Sequence, residues 1–248
     1  MIYLKSSSEI EIMKIAGRIV AETLLKIEEH VKPGITTKQL DRIAEDYIIS
    51  CGARPSFKGL YGFPATLCTS INEEVVHGIP GERVLEEGDI ISVDCGACYK
   101  KFHGDAARTF PIGKISPEAQ KLIDVTRESF FEGIKYAQIG NRIGDIAHAI
   151  EGYTESFGYG VVRDYVGHGV GREMHEEPSV PNYGKPGRGP KLAKGMTIAV
   201  EPMINMGTFE VTEKSDKWTV VTLDGKMSAH YENTIAILED GPQILTLI

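Results

Sequence analysis

Two short segments of this 248-residue chain run from a glycine turn along a strand and end on a carboxylate. Leu85-Glu-Glu-Gly-Asp-Ile-Ile-Ser-Val-Asp94 and Leu192-Ala-Lys-Gly-Met-Thr-Ile-Ala-Val-Glu201 align at one constant offset. Leu85 falls on Leu192, Gly88 on Gly195, Ile91 on Ile198, Val93 on Val200 and Asp94 on Glu201. Each reads as a tight turn followed by a β-branched strand. A carboxylate where an apolar strand would bury its next side chain is costly unless it is paired or bound to a metal. Two of them at equivalent places point to a shared site. Asp105 returns toward Asp94 across a predicted hairpin, and Glu232 stands to Glu201 as its counterpart. Four carboxylates converging without cations would repel and raise one another's pKa. Two divalent cations remove that conflict. Oxygen-rich ligation with one imidazole suits Mn, Fe, Co or Zn rather than a thiolate zinc site. Metals about 3.5–4 Å apart can activate a bridging water and hold a tetrahedral oxyanion.

The histidines sort by context. His168 lies inside Tyr165-Val-Gly-His-Gly-Val-Gly171, where glycines allow close backbone approach, and His175 follows in Met174-His-Glu-Glu-Pro178. That spacing suits a strand–turn–strand returning a second imidazole to one cavity. His77, in Val75-Val-His-Gly-Ile-Pro80, joins them as a functional candidate. His30 and His148 fall on predicted helix surfaces and read as solvated. His103 and His230 each stand two residues before an acid, on the same strand face as Asp105 and Glu232. Neither has a motif of its own, so both read as structural, with a supporting role left open. H-E-x-x-H, G-x-S-x-G and a phosphate-binding glycine loop are all missing, which excludes zincin, serine-hydrolase and P-loop chemistry. Cys51, Cys68, Cys95 and Cys98 are too few for a disulfide scaffold. The lone Cys95-Gly-Ala-Cys98 pair reads as reduced strand and hairpin residues.

The elements that must position these groups come in two related halves. Gly34, Leu40, Tyr47 and Gly52 are echoed by Gly140, Ile146, Tyr153 and Gly158, so each half runs helices and then strands. The expectation is one catalytic domain over 1–248, built of halves of about 1–115 and 116–248. Ser8-Glu-Ile-Glu11 and Thr36-Thr-Lys-Gln39 each fit a capping box ahead of an amphipathic helix. Ser116-Pro117 starts a third helix, reaching about Lys135, and a fourth runs from about Ile143 to Phe157. Thr66–Asn72 reads as a strand, and Asp94–Phe110 as a hairpin turning near Tyr99–Lys101. Pro178–Pro190 reads as a surface loop. The second hairpin system starts at Ile198–Glu201 and returns through Trp218–Leu223 and His230–Leu238. A net charge of −8 does not suit nucleic acid, and no apolar run is long enough to cross a bilayer. The start Met1-Ile-Tyr-Leu-Lys-Ser has no apolar signal core, so a cytoplasmic protein is expected.

At this point the residues resemble a known family. Tyr165–His175 with Val180, Asn182 and Tyr183, Val76–Pro80, Ser92-Val-Asp94, His103-Gly-Asp105, Ile198–Pro202 and Tyr231-Glu-Asn-Thr234 look, in order and spacing, like the type I methionine aminopeptidases of bacterial form. The resemblance implies the α/β (α+β) pita-bread fold: pseudo-twofold, with a curved antiparallel sheet and helices on its outer face. It implies a dinuclear centre of Asp94, Asp105, His168, Glu201 and Glu232, with Asp105 and Glu232 bridging two divalent ions (Co, Mn, Fe or Zn). Glu201 would also be the general base, and His77 and His175 would contact substrate and stabilise the tetrahedral intermediate. Phe63, Cys68, Met174 and Trp218 would line the methionine pocket, Met174 standing where the family usually has Phe. The implied reaction removes the initiator methionine from nascent chains with a small second residue. The implied partners are nascent N-termini, with the ribosome as a candidate contact, and the implied state is a monomer. A proline-specific aminopeptidase and a non-enzymatic binder of the same fold are the competing readings. The first usually carries an added N-terminal domain, and the second loses ligands that are all kept here.

Overall fold

The computed structural model describes residues 1–248. Helices α1 (Ser7–His30) and α2 (Thr37–Ser50) open the chain. The box at Thr36 forms as expected: its side chain accepts from the Gln39 N–H while Gln39 reaches back to the Thr36 N–H. The first box falls two residues earlier than expected, at Ser6 and Glu9. Both segments fit the pattern. The earlier one wins because the Lys5 N–H donates to the Gly195 carbonyl at 2.7 Å, which holds the chain extended up to Ser6.

Both helices lay an aliphatic stripe on a hairpin of two ten-residue strands, Ile90–Tyr99 and Phe102–Pro111. Ile19, Val20, Leu24 and Ile27 of α1 and Leu40, Ala44 and Ile48 of α2 pack with Leu67, Ile71, Ile91, Val93 and Ala97. Burying such side chains stabilises by roughly 1.5–3 kcal/mol each. Leu67–Ile71 pairs on the other side of Ile90–Tyr99. In the second half α3 (Pro117–Ile134) and α4 (Ile143–Glu155) cover a five-stranded sheet. Its order is Gly241–Ile244, Asn233–Leu238, Thr197–Val200, Gly167–Gly169 and Glu176–Val180. Phe130, Ile143, Ile146 and Ile150 meet Val180, Ile198, Val200, Tyr231, Ile235 and Ile237 there. Every strand pair is antiparallel. Helices outside, antiparallel strands inside, is the pita-bread arrangement.

Two sequence expectations are corrected. Pro178 to Val180 is strand rather than surface loop, because Val180 is wholly buried in the second core; the exposed stretch is 185–191. Val220–Thr222 is not part of the second hairpin. It pairs with Val211–Glu213 and Glu74–Val76 in a separate sheet, because Val220 packs with Val75, Val76, Val162 and Met203.

The halves are stitched where Phe102–Pro111 runs beside residues 230–234. The Asp105 N–H donates to Thr234 Oγ1 at 3.0 Å, and that hydroxyl donates back to the Asp105 carbonyl at 2.9 Å. The Glu232 N–H donates to the Ala107 carbonyl at 3.0 Å. The His230 N–H donates to Thr109 Oγ1 at 2.9 Å, and Thr109 donates back to the His230 carbonyl at 2.9 Å. A second tie is a buried ion pair, Lys5 Nζ to Glu176 Oε2 at 2.5 Å, with both side chains almost fully covered. Glu176 Oε1 also accepts from the Arg172 and Glu173 N–H groups, so the N-terminal segment grips the turn that carries His175. Lys5→Met leaves the covered Glu176 carboxylate without its counter-charge, held only by the two main-chain N–H groups. It should lower unfolding stability by about 3–5 kcal/mol, read as a shift of the urea midpoint at constant slope.

Candidate active site

A cavity of about 450 Å³ opens between the two halves. The hairpin register sets Asp94 opposite Ala107 and Asp105 opposite Gly96. Residues 105 and 107 share a face, so both aspartates project to the same side, one diagonal apart. Glu201 follows the strand Thr197–Val200, and Glu232 precedes its partner Asn233–Leu238. Since Val200 pairs with Asn233, the two glutamates meet at one end of that sheet. The stitching described above then brings Asp105 and Glu232 together.

His168 sits between Gly167 and Gly169. A Cβ on either glycine would collide with the Ala199 or the Glu177 carbonyl, so only glycine lets these strands approach. His168 Nδ1 donates to the Gly169 carbonyl at 2.9 Å. That turns the Nε2 lone pair to the acids, 3.6 Å from Asp105 Oδ2 and 3.6 Å from Glu201 Oε1. His77 stands just past the Glu74–Val76 strand at φ 60°, a left-handed conformation rare outside glycine, with its ring edge-on to Tyr165. The His175 ring lies 4.4 Å from that of His168 and stacks on Tyr61. The aromatic wall is Phe57, Phe63 and Trp218, the last two edge-to-face at 5.1 Å, with Cys68 beside Asp94 in register. Met174 packs in the same apolar cluster but lies behind the wall rather than on the cavity surface.

His30 and His148 are exposed, as their helix positions imply. His103 is buried outside the cavity and bonds Ser56 Oγ through Nδ1 at 2.8 Å. All four cysteines are free thiols. The residue that sequence reasoning passed over is His230. It faces the cavity, with Nε2 3.6 Å from Glu232 Oε2 and 3.8 Å from Glu201 Oε2. The sequence signal for it is its strand parity with Glu232, two residues on.

The electrostatics are severe. Burial pushes the Asp94 carboxyl up to about 7. Burial, and then the charge of neighbouring acids, pushes Asp105, Glu201 and Glu232 well above the carboxylate range. The nearby buried cation, Arg108, is committed elsewhere: its guanidinium donates to the Glu232 and Ala107 carbonyls and to Asn233 Oδ1. Asp94 Oδ1, Asp105 Oδ1, Glu232 Oε1 and His230 Nε2 are buried with no hydrogen-bond partner. Natural proteins rarely leave such atoms unsatisfied without a ligand. Burial lowers His168 to about 3 and His77 to about 4, so the imidazoles are neutral and His168 offers a lone pair. The donors Asp105, His168 and Glu232, and separately Asp94, His230 and Glu232, lie within 4.8 Å of one another. Oxygen-rich donors with imidazole and orphaned lone pairs fit divalent transition-metal ions.

Acids gathered around imidazole at the end of an apolar cavity are the donor set of a metal-dependent enzyme. The sequence profile of metallopeptidase family M24 matches residues 11–239, and the chain belongs to that family. It is 65% identical over 248 residues to a methionine aminopeptidase of Clostridium acetobutylicum, covering 100% of this chain and 99% of the relative. Methionine aminopeptidase 1 of Bacillus subtilis is 53% identical over the full length of both. The crystal structure of methionine aminopeptidase from Thermotoga maritima superposes with a TM-score of 0.98 at 47% identity, covering 100% of each chain. Within M24 the protein is thus a metalloexopeptidase of the type I methionine aminopeptidase group.

A proton-linked metal affinity follows. The raised carboxyl pKa values keep part of the acid cluster protonated near neutrality, whereas His168 is already neutral. An incoming cation therefore displaces carboxyl protons, not an imidazolium proton. Affinity should rise with pH toward and through about 7, by about tenfold per unit for each proton displaced. Titration calorimetry in buffers of differing ionisation heat counts those protons. No proton release near neutrality would show the acids already ionised.

Proposed function

We propose that this protein removes the initiator methionine from nascent chains whose second residue is small, and that it does so as one catalytic unit formed by both halves. The observation that carries this reading is the set of four acids whose nearby cation, Arg108, is turned to main-chain carbonyls, set against an apolar wall of Phe57, Phe63, Cys68 and Trp218. Two divalent ions would bring four positive charges to four carboxylates. Asp94, Asp105, His168, Glu201 and Glu232 would hold them, with Asp105 and Glu232 shared because they lie where the halves join. When bound, these ions supply Lewis acidity toward water and the scissile carbonyl.

The remaining work falls to side chains. Glu201 keeps a partly exposed carboxylate on the cavity side, from where it takes the proton of the attacking water. His77 and His175, both neutral, donate N–H groups toward the oxygen that gains charge and help to seat the substrate amide. Phe63, Cys68 and Trp218 enclose the methionine side chain, and the soft thioether of Met174 behind them lets the wall adapt. Burial and the nearby acids keep Cys68 a neutral thiol, so it serves as an apolar surface. The working partners in this reading are nascent N-termini in the cytoplasm, met by a monomer at or near the ribosome. No helix is long and apolar enough to cross a membrane.

The test is hydrolysis of a Met-Gly-initiated peptide by metal-loaded protein. Chelation should abolish turnover and returned metal should restore it. Activity that survives full metal removal defeats the proposal, and faster cleavage of an Xaa-Pro peptide replaces it with a proline-specific one. His77→Ala should cut kcat by about 10²–10³-fold, the loss typical of one oxyanion donor, with metal content unchanged. Loss of metal from that variant would reassign His77 as a ligand.

A further inference from the structure

His230 is the donor that this reading leaves unused. Its ring is 2% exposed. Its main chain is clamped on both sides by Thr109 and pairs with Met203 across the sheet, so the ring has little freedom to turn away. Nε2 has no hydrogen-bond partner, yet it faces Glu232 at 3.6 Å and Glu201 at 3.8 Å. Donors at those separations are too far apart to share a proton and close enough to share a cation, whose bonds to nitrogen and oxygen run about 2.0–2.2 Å. Asp94, His230 and Glu232 form a donor group matching that of Asp105, His168 and Glu232, with Glu232 common to both.

We propose that His230 is a second imidazole ligand of the metal centre, bound to the ion held by Asp94 and Glu232. Each ion then has its own imidazole, one from the Gly167–Gly169 strand and one from the Ser228–His230 strand. The Asp94 side ceases to be an oxygen-only position. Imidazole favours Co, Zn and Fe over Mg and Ca, so His230 biases that position toward the borderline metals. Ligation also explains why a buried nitrogen is aimed at two acids with nothing to accept from or donate to.

This inference rests on the metal-centre reading above, and the experiment separates the two. Electron spin-echo spectroscopy of the Mn-loaded protein counts imidazole nitrogens without any variant. The native protein should show two inequivalent imidazole couplings, with His230→Gln and His168→Gln each losing a different one. Calorimetric titration with Co should show one of two sites weakened at least about 10–100-fold in His230→Gln, while Mn binding changes far less. A single coupling in the native protein, lost in His168→Gln and kept in His230→Gln, overturns the proposal. So does unchanged Co affinity in His230→Gln. If the native protein binds neither metal tightly, the metal-centre reading itself falls.

Discussion

The constraint that governs this structure is a cluster of four carboxylates, Asp105 and Glu232 buried and Asp94 and Glu201 half-buried, that the chain does not neutralise. The nearby arginine, Arg108, lies on the opposite face of its strand from Asp105 and spends its donors on main-chain carbonyls and an asparagine. Without bound cations the acids are held partly protonated, and several of their oxygens have no partner at all. A fold maximising its own stability would not gather such groups. The cost is sustained by two large aliphatic cores, one per half, each sealing helices onto antiparallel strands.

The same constraint explains the seam. The acids come from both halves, so their spacing depends on how the halves are joined. Thr234 and Thr109 extend the ladder with their hydroxyls where a continuous sheet would use backbone alone. Arg108 locks the Glu232 carbonyl from beneath. Lys5 reaches across from the N-terminal segment to Glu176 and fixes the turn after His168. These contacts are short, polar and wholly or partly buried, which gives positional precision that apolar packing alone gives less well.

The cavity changes character from one end to the other. One end holds charge; the other is Phe57, Phe63, Cys68 and Trp218. His77 marks the boundary, held in a backbone conformation that L-residues adopt at a cost. Such strain at a cavity rim is tolerable because Val75 and Val76 are buried on one side and Tyr165 packs against the ring on the other.

Much of this was legible in the sequence because local rules write it there. The period of two along Ile90–Tyr99 and Phe102–Pro111 puts Asp94 and Asp105 on one face. The repeat carries that placement over to Glu201. Glycines around His168 announce close backbone approach, and the Thr36–Gln39 and Ser116–Pro117 signals start helices where they should. The rest was decided by contacts between residues far apart in the chain. Ser6 outcompetes Ser8 as a cap because Lys5 is already bonded to Gly195. Val220 leaves the expected hairpin because Val76 offers a better apolar partner. Met174 lies behind the pocket wall, and His230 joins the acids, through packing that no spacing rule encodes. Sequence alone determined which residue types alternate toward one face. Only the tertiary structure decided which of those faces meet, because that depends on the burial of surfaces contributed by both halves at once.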